Sequence, residues 1–198
     1  MWGSFLYLYF TYSMKYTYNI QWLRTCHEEG IKLKFIFFWG NNNKTRNEVS
    51  NACFSQWYES PFTVDGFEYK TAEHWMMAQK ALLFNDQSAF ANIIGCRKPG
   101  EAKDLGRLVE GFDPDVWEEK RFGIVVEGNI YKFSQNKALL DYLLQTDNRV
   151  LVEASPVDTI WGIGLSRDSD KINDIDSWRG ENLLGFALME ARDRLRQK

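Results

Sequence analysis

The stretch Phe62-Thr63-Val64-Asp65-Gly66-Phe67-Glu68-Tyr69-Lys70-Thr71-Ala72-Glu73-His74-Trp75-Met76-Met77-Ala78-Gln79-Lys80 decides the fold, because it joins a hairpin to a helix with no linker between them. Asp65-Gly66 supplies the positive φ angles that a two-residue turn needs, so residues 62–64 and 67–69 are expected to pair. Thr71 then reads as an N-cap, opening a helix over 72–84 that is rich in Ala, Met, Leu and Lys.

Downstream, each helix start carries its own signal. Asp86 caps a helix over 87–94 that Gly95 stops, and Pro99 takes the first-turn place in a helix over 99–108. Asp113-Pro114 opens a longer helix over 114–134, and a further helix covers 136–145 with Ala138, Leu139, Leu140, Leu143 and Leu144 on its apolar face. A closing helix spans 181–196.

Upstream, residues 19–29 read as a short helix ended by Gly30, and Phe35 to Trp39 as a buried strand before the polar loop Gly40–Lys44. Arg149 to Ala154 and Thr159 to Trp161 read as two more short strands. The polar stretch between Gly162 and Gly180 is long enough to suggest a functional loop. The expected class is α+β: a mostly helical single domain around a small β-sheet.

A chain of 198 residues suits one domain with a real core. Hydrophobic residues make up 44% and charged residues 26%, which excludes disordered and collagen-like classes. The net charge of −3 argues against broad, sequence-independent binding to nucleic-acid phosphates, while leaving room for a local phosphate pocket. Cys26, Cys53 and Cys96 are widely spaced, and only His27 and His74 stand beside them. No zinc set can be assembled, so the thiols read as reduced and the location as cytoplasmic. The apolar start, Trp2 to Phe10, is too short to span a bilayer and reads as an extension packed on the domain or on a partner.

Three places could hold chemistry. Glu73 lies in a first helical turn, where the helix dipole favours an acid whether or not it acts on a substrate. It shares a helix face with Met77 and Lys80, so carboxylate and ammonium could orient a water and hold phosphate, or form a plain solvated pair. His74, without a partner histidine, reads as a hydrogen-bonded packing residue. Asp158-Thr159-Ile160-Trp161-Gly162-Ile163-Gly164 places an acid and an indole before two glycines, which permit close backbone approach, although a turn with a buried Trp has the same pattern. Trp117, after Asp113 and Asp115, is the third, with core packing as its ordinary reading.

Together these segments resemble the NADAR/YbiA-like family from about residue 35 to the C-terminus. The resemblance rests on Phe54-Ser55-Gln56-Trp57, on Thr71 to Lys80, and on Gly106-Arg107 with Trp117, Lys120 and Arg121. It continues through Leu151-Val152-Glu153-Ala154, Asp158, Trp161 to Gly164, and Gly180 to Gly185 with Leu188 to Arg192. It divides the chain into an extension, residues 1–34, and a family domain, residues 35–198. It implies N-glycosidase activity without metal or cofactor and without a membrane partner. The substrates it implies are phosphoribosylated riboflavin-biosynthesis intermediates or guanine carrying ADP-ribose, the latter extending to ADP-ribosylated nucleic acid. By resemblance the catalytic acids are Glu73 and Asp158, with Trp117 in the pocket. The charged run Leu165 to Lys171 departs from the family's Gly/Asp-rich loop and bears on substrate choice.

Breaking a C1′–N bond builds positive charge on the ribose, which carboxylates stabilise while one orients the attacking water. Lys80, Arg107 and Arg121 suit phosphate oxygens, and Trp117 or Trp161, beside Gly162, could stack the departing base. The competing class is a non-catalytic module that binds ADP-ribose or a nucleotide. Two acids beside an anionic ligand weigh against it, since they repel phosphate.

Overall fold

The computed structural model describes residues 16–41 and 48–197. The extension read over Trp2 to Phe10, and Asn42 to Lys44 of the polar loop, lie outside them.

The hairpin and the helix after it form where the turn and cap residues place them. β2 (Phe62–Val64) and β3 (Phe67–Tyr69) pair antiparallel, with Thr63 opposite Glu68. Asp65 and Gly66 take φ of 50° and 83°, the left-handed values the two-residue turn demands. Thr71 caps α2 (Ala72–Leu83): its side chain accepts from His74 N and lies 2.8 Å from His74 Nδ1. His74 is therefore the hydrogen-bonded packing residue expected, 1% exposed.

Helix α2 is buried nearly all round and forms the axis of the domain, with Trp75, Met76, Met77, Ala78 and Ala81 in the core. It packs on α3 (Gln87–Gly95), α4 (Pro99–Arg107) and α5 (Pro114–Ser134). Asp86 caps α3 through Ala89 N at 2.8 Å and also accepts Glu110 N at 2.9 Å, tying the α4–α5 connection to the same carboxylate. Asp113 accepts Asp115 N and Val116 N at the start of α5, with Pro114 in the first turn. Helix α6 (Lys137–Leu144) buries Leu139 and Leu143.

The small sheet is two separate pairs. β1 (Phe35–Phe38) runs parallel to β4 (Val150–Glu153), with Phe38 opposite Glu153. Thr159–Trp161 is not a strand: Asp158 Oδ1 accepts Ile160 N at 2.9 Å and Trp161 N at 2.7 Å and folds the segment into a turn. The polar stretch after it is pinned rather than open. Ile163 O accepts Arg179 N and Gly180 N, Trp178 Nε1 donates to Ile172 O, and Ile163, Ile172, Ile175 and Trp178 are buried.

Helix α7 (Leu183–Arg196) closes the fold against α5 and β4. Asn182, at φ 55°, precedes it. Its Oδ1 accepts Glu153 N at 2.9 Å and its Nδ2 donates to Leu151 O at 2.9 Å, so one side chain fastens the end of β4 to the start of α7. On the far side of α7, Thr17 N and Tyr18 N donate to Glu190 Oε1, and Leu23 of α1 (Ile20–Glu28) is fully buried. No helix of the described residues is long and apolar enough to cross a membrane.

Candidate active site

Glu73 enters the core because the first turn of α2 is held down by the loop before it. Its backbone N donates to Gln56 O at 2.9 Å, and the residue is 3% exposed with Oε1 buried and unpartnered. Burial pushes its carboxyl up from 4.5 to about 7; the Trp57 indole, Lys103 and Arg107 favour the charged form, while Asp158 opposes it.

Glu153 is the second acid. It ends β4, and its Oε2 is buried without a hydrogen-bond partner. Burial pushes it up from 4.5 to about 8, reinforced by repulsion from Asp158 and Glu73 and partly offset by Lys103. Asp158 is the third. Its Oδ1 takes the two amide bonds of the turn, its own N donates to Ser155 Oγ at 3.2 Å, and its carbonyl accepts Gly164 N at 3.1 Å.

The end of β4 and the Asp158 turn pack together at Gly162, and the charges of Lys103 and Asp158 reach both Glu73 and Glu153. Among the described residues no group of His, Cys, Asp and Glu is arranged to hold a metal ion.

The α2 face predicted to carry Glu73, Met77 and Lys80 meets α4. A Cβ on Gly106 would overlap Met77 Sδ, so the two helices approach closely only because residue 106 is glycine. Lys80 Nζ donates to Gly106 O at 2.8 Å and lies over the rings of Phe112, at 4.0 Å, and Trp117, at 5.6 Å. Lys80 and Trp117 thus form one cluster on the same α2 face, about two helical turns along from Glu73. Arg107 is exposed, 2.8 Å from Asp104, and acts on Glu73 electrostatically. Arg121, 12% exposed, stands 3.5 Å from Glu118 and 3.6 Å from Glu181, at the entry to α7.

Trp161 is half-buried, and its carbonyl accepts Leu184 N at 3.1 Å. At Gly162 the close approach is by protein backbone: a Cβ there would stand 2.9 Å from Glu153 O and 3.1 Å from Asp158 O. Gly162 therefore lets the two acid-bearing segments converge.

Sequence reading did not select Glu153, Lys103 or Trp57 as site residues. Glu153 had one signal, an acid closing an apolar strand; Lys103 had one, its place a helical turn before Arg107. Neither signal separates a site from a surface until α2, α4 and β4 are brought together.

The chain as a whole has counterparts in known proteins. A family model described as the NADAR domain matches residues 37–196. The chain belongs to the NADAR domain family. The chain is 44% identical over 169 residues to N-glycosidase R617 of Acanthamoeba polyphaga mimivirus, covering 83% of this chain and 98% of that protein. It is 31% identical over 142 residues to N-glycosidase YbiA of Shigella flexneri, covering 72% of this chain and 80% of that one. The NMR structure of the E. coli protein YbiA matches this NADAR fold with a TM-score of 0.66 at 27% identity, over 83% of this chain and 86% of that one. The family resemblance and the mostly helical α+β class expected from the sequence are both borne out, and this NADAR protein is an enzyme of the N-glycosidase class.

Proposed function

We propose that the enzyme hydrolyses the base-to-ribose bond of a phosphate-bearing ribosyl substrate, with Glu73 and Asp158 as the acids of the water-attack half of the reaction. The observation that carries this reading is the burial of Glu73 with its Oε1 unpartnered, beside a turn that fixes Asp158 by one carboxylate oxygen. As C1′ loses its nitrogen, positive charge grows on the ribose, and Asp158 stabilises it. The Ile160 and Trp161 amides fix Asp158 Oδ1 and leave Oδ2 free for this role. Glu73, poised near neutrality by burial, takes the proton of the attacking water.

Trp57 links the acids to a place for the rest of the substrate. It acts on Glu73 and also borders a groove of about 470 Å³ lined by Tyr58, Lys70, Arg97 and Lys98. Lys70 is engaged by the Ile94 and Cys96 carbonyls, which leaves Arg97 and Lys98 as the cations and Trp57 and Tyr58 as the rings suited to a phosphate and a base. Of the cations expected from the sequence to meet phosphate, Arg107 is the one that acts on Glu73, while Lys80 is engaged by Gly106 O and two rings.

Asp158→Asn tests the electrostatic role cleanly. Asparagine keeps the Oδ1 acceptor for both turn amides, so the melting temperature stays close to wild type while kcat falls about 10²- to 10³-fold. Equal kcat in the variant would remove Asp158 from the reaction.

Substrate class is tested by offering a phosphoribosylaminopyrimidine and guanine-linked ADP-ribose in single-stranded DNA side by side, with base release followed by chromatography. Release from one alone assigns the enzyme to that branch, riboflavin-pathway metabolite or ADP-ribosylated base. Release from neither, with tight ADP-ribose binding, overturns the reading in favour of a binding module.

A further inference from the structure

The reaction has a second half that Glu73 and Asp158 leave without a residue: the departing base needs a proton. A ribosyl-linked base or exocyclic amine leaves as an anion unless it is protonated as the bond breaks, and that anion is costly in a site already holding carboxylates. One carboxyl group in the site, Glu153, is unused by the water-attack half.

We propose that Glu153 is the general acid of the reaction, giving its proton to the leaving nitrogen. This rests on the N-glycosidase reading above. Its geometry supports the role in three ways. Glu153 Oε2 is buried and has no partner in the fold, so its hydrogen-bonding capacity is unspent. Its backbone is fixed on both sides, N to Asn182 Oδ1 at 2.9 Å and O to Ile163 N at 3.0 Å, which holds the side chain at the end of β4. It stands beside the turn that carries Asp158: a Cβ on Gly162 would lie 2.9 Å from Glu153 O and 3.1 Å from Asp158 O, so the two acids are borne by segments packed against one another.

Its protonation follows from the same neighbours. Burial, with Asp158 and Glu73 as like charges and only Lys103 opposing, pushes Glu153 up to about 8, above the value of about 7 for Glu73. Glu153 thus holds its proton at neutral pH, as a carboxyl group that serves as an acid must.

The step balances. The C1′–N bond breaks and its electron pair passes to nitrogen, which takes the Glu153 proton. The water oxygen bonds C1′, and the proton it loses goes to Glu73. Exchange with solvent returns both groups to their starting states, and one water is consumed per base released.

The test is the pH profile of kcat for Glu153→Gln on the phosphoribosylaminopyrimidine, whose amine must take a proton to leave, beside an N-ribosylpyridinium, whose base departs neutral without one. The variant should lose about 10²- to 10⁴-fold in kcat on the first substrate, with KM little changed and the alkaline limb near 8 abolished, and lose little on the pyridinium. Formate added to Glu153→Ala should restore part of the lost rate, a readout that a purely structural role would not give. Wild-type-like kcat with the alkaline limb intact in Glu153→Gln overturns this proposal alone. Equal losses on both substrates with no formate rescue also overturn it. No base release by the wild-type enzyme from any ribosyl substrate overturns the function reading and this proposal together.

Discussion

Glu73→Gln lowers kcat by about 10³-fold and, at the same time, makes the protein more stable at alkaline pH. The loss of rate follows from removing the group that takes the proton of water, an effect that ordinarily spans about 10²- to 10⁴-fold. The stability gain follows from burial. Glu73 is raised from 4.5 in the unfolded chain to about 7 in the fold. Below about pH 4.5 both states hold the proton and Glu73 costs the fold nothing. Between about pH 4.5 and 7 the fold keeps a proton that the unfolded chain has released, so stability falls across that window and stays low above it, where the fold buries the charge. The full displacement corresponds to roughly 3 kcal/mol. Glutamine stays neutral at every pH, so thermal unfolding should show no difference at pH 4 and a melting temperature higher by roughly 6–12 °C at pH 9. A wild-type melting curve that does not fall relative to the variant between those limits would mean that Glu73 is not buried as a charge. Unchanged kcat would remove it from the reaction.

Gly185→Ala is the substitution with the largest expected cost to folding. A Cβ at this position would overlap the Leu151 carbonyl oxygen and lie 2.7 Å from Asn182 Oδ1. Neither neighbour can yield cheaply. Leu151 is ladder backbone in β4, paired with Ile36 in β1, and the Asn182 amide is fixed by Leu151 O and Glu153 N. Overpacking against backbone costs about 3 kcal/mol or more, so the melting temperature should drop by roughly 6–12 °C. The displacement also reaches the site, because the atoms that must move hold Glu153. Residual folded protein should therefore show a lower kcat as well as a lower melting temperature, measured at a temperature where it remains folded. A wild-type melting temperature would show that α7 does not pack on β4 through residue 185.

The elements legible from the sequence are those whose signals are local. Asp65-Gly66, Thr71, Asp86 and Asp113-Pro114 each act within a turn of their own position, and the hairpin and helices α2, α3 and α5 begin where these residues place them. The Thr159–Trp161 strand went wrong for a local reason too. Apolar residues suggested extension, but Asp158 competes for the Ile160 and Trp161 amides that a strand partner would need.

By itself, then, the sequence determined the order and start of most elements, the family, and the identity of Glu73 and Asp158 as candidate acids. Tertiary structure alone decided that β1 pairs parallel with β4, that Lys80 gathers with Trp117 over Gly106, and that the Asp158 turn packs on the end of β4 beside Glu153. The reason is physical. A cap or a turn is settled by atoms a few bonds away, whereas the protonation of a carboxyl group depends on how much water is removed and which charges arrive, and only packing brings α2, α4 and the end of β4 together to set both.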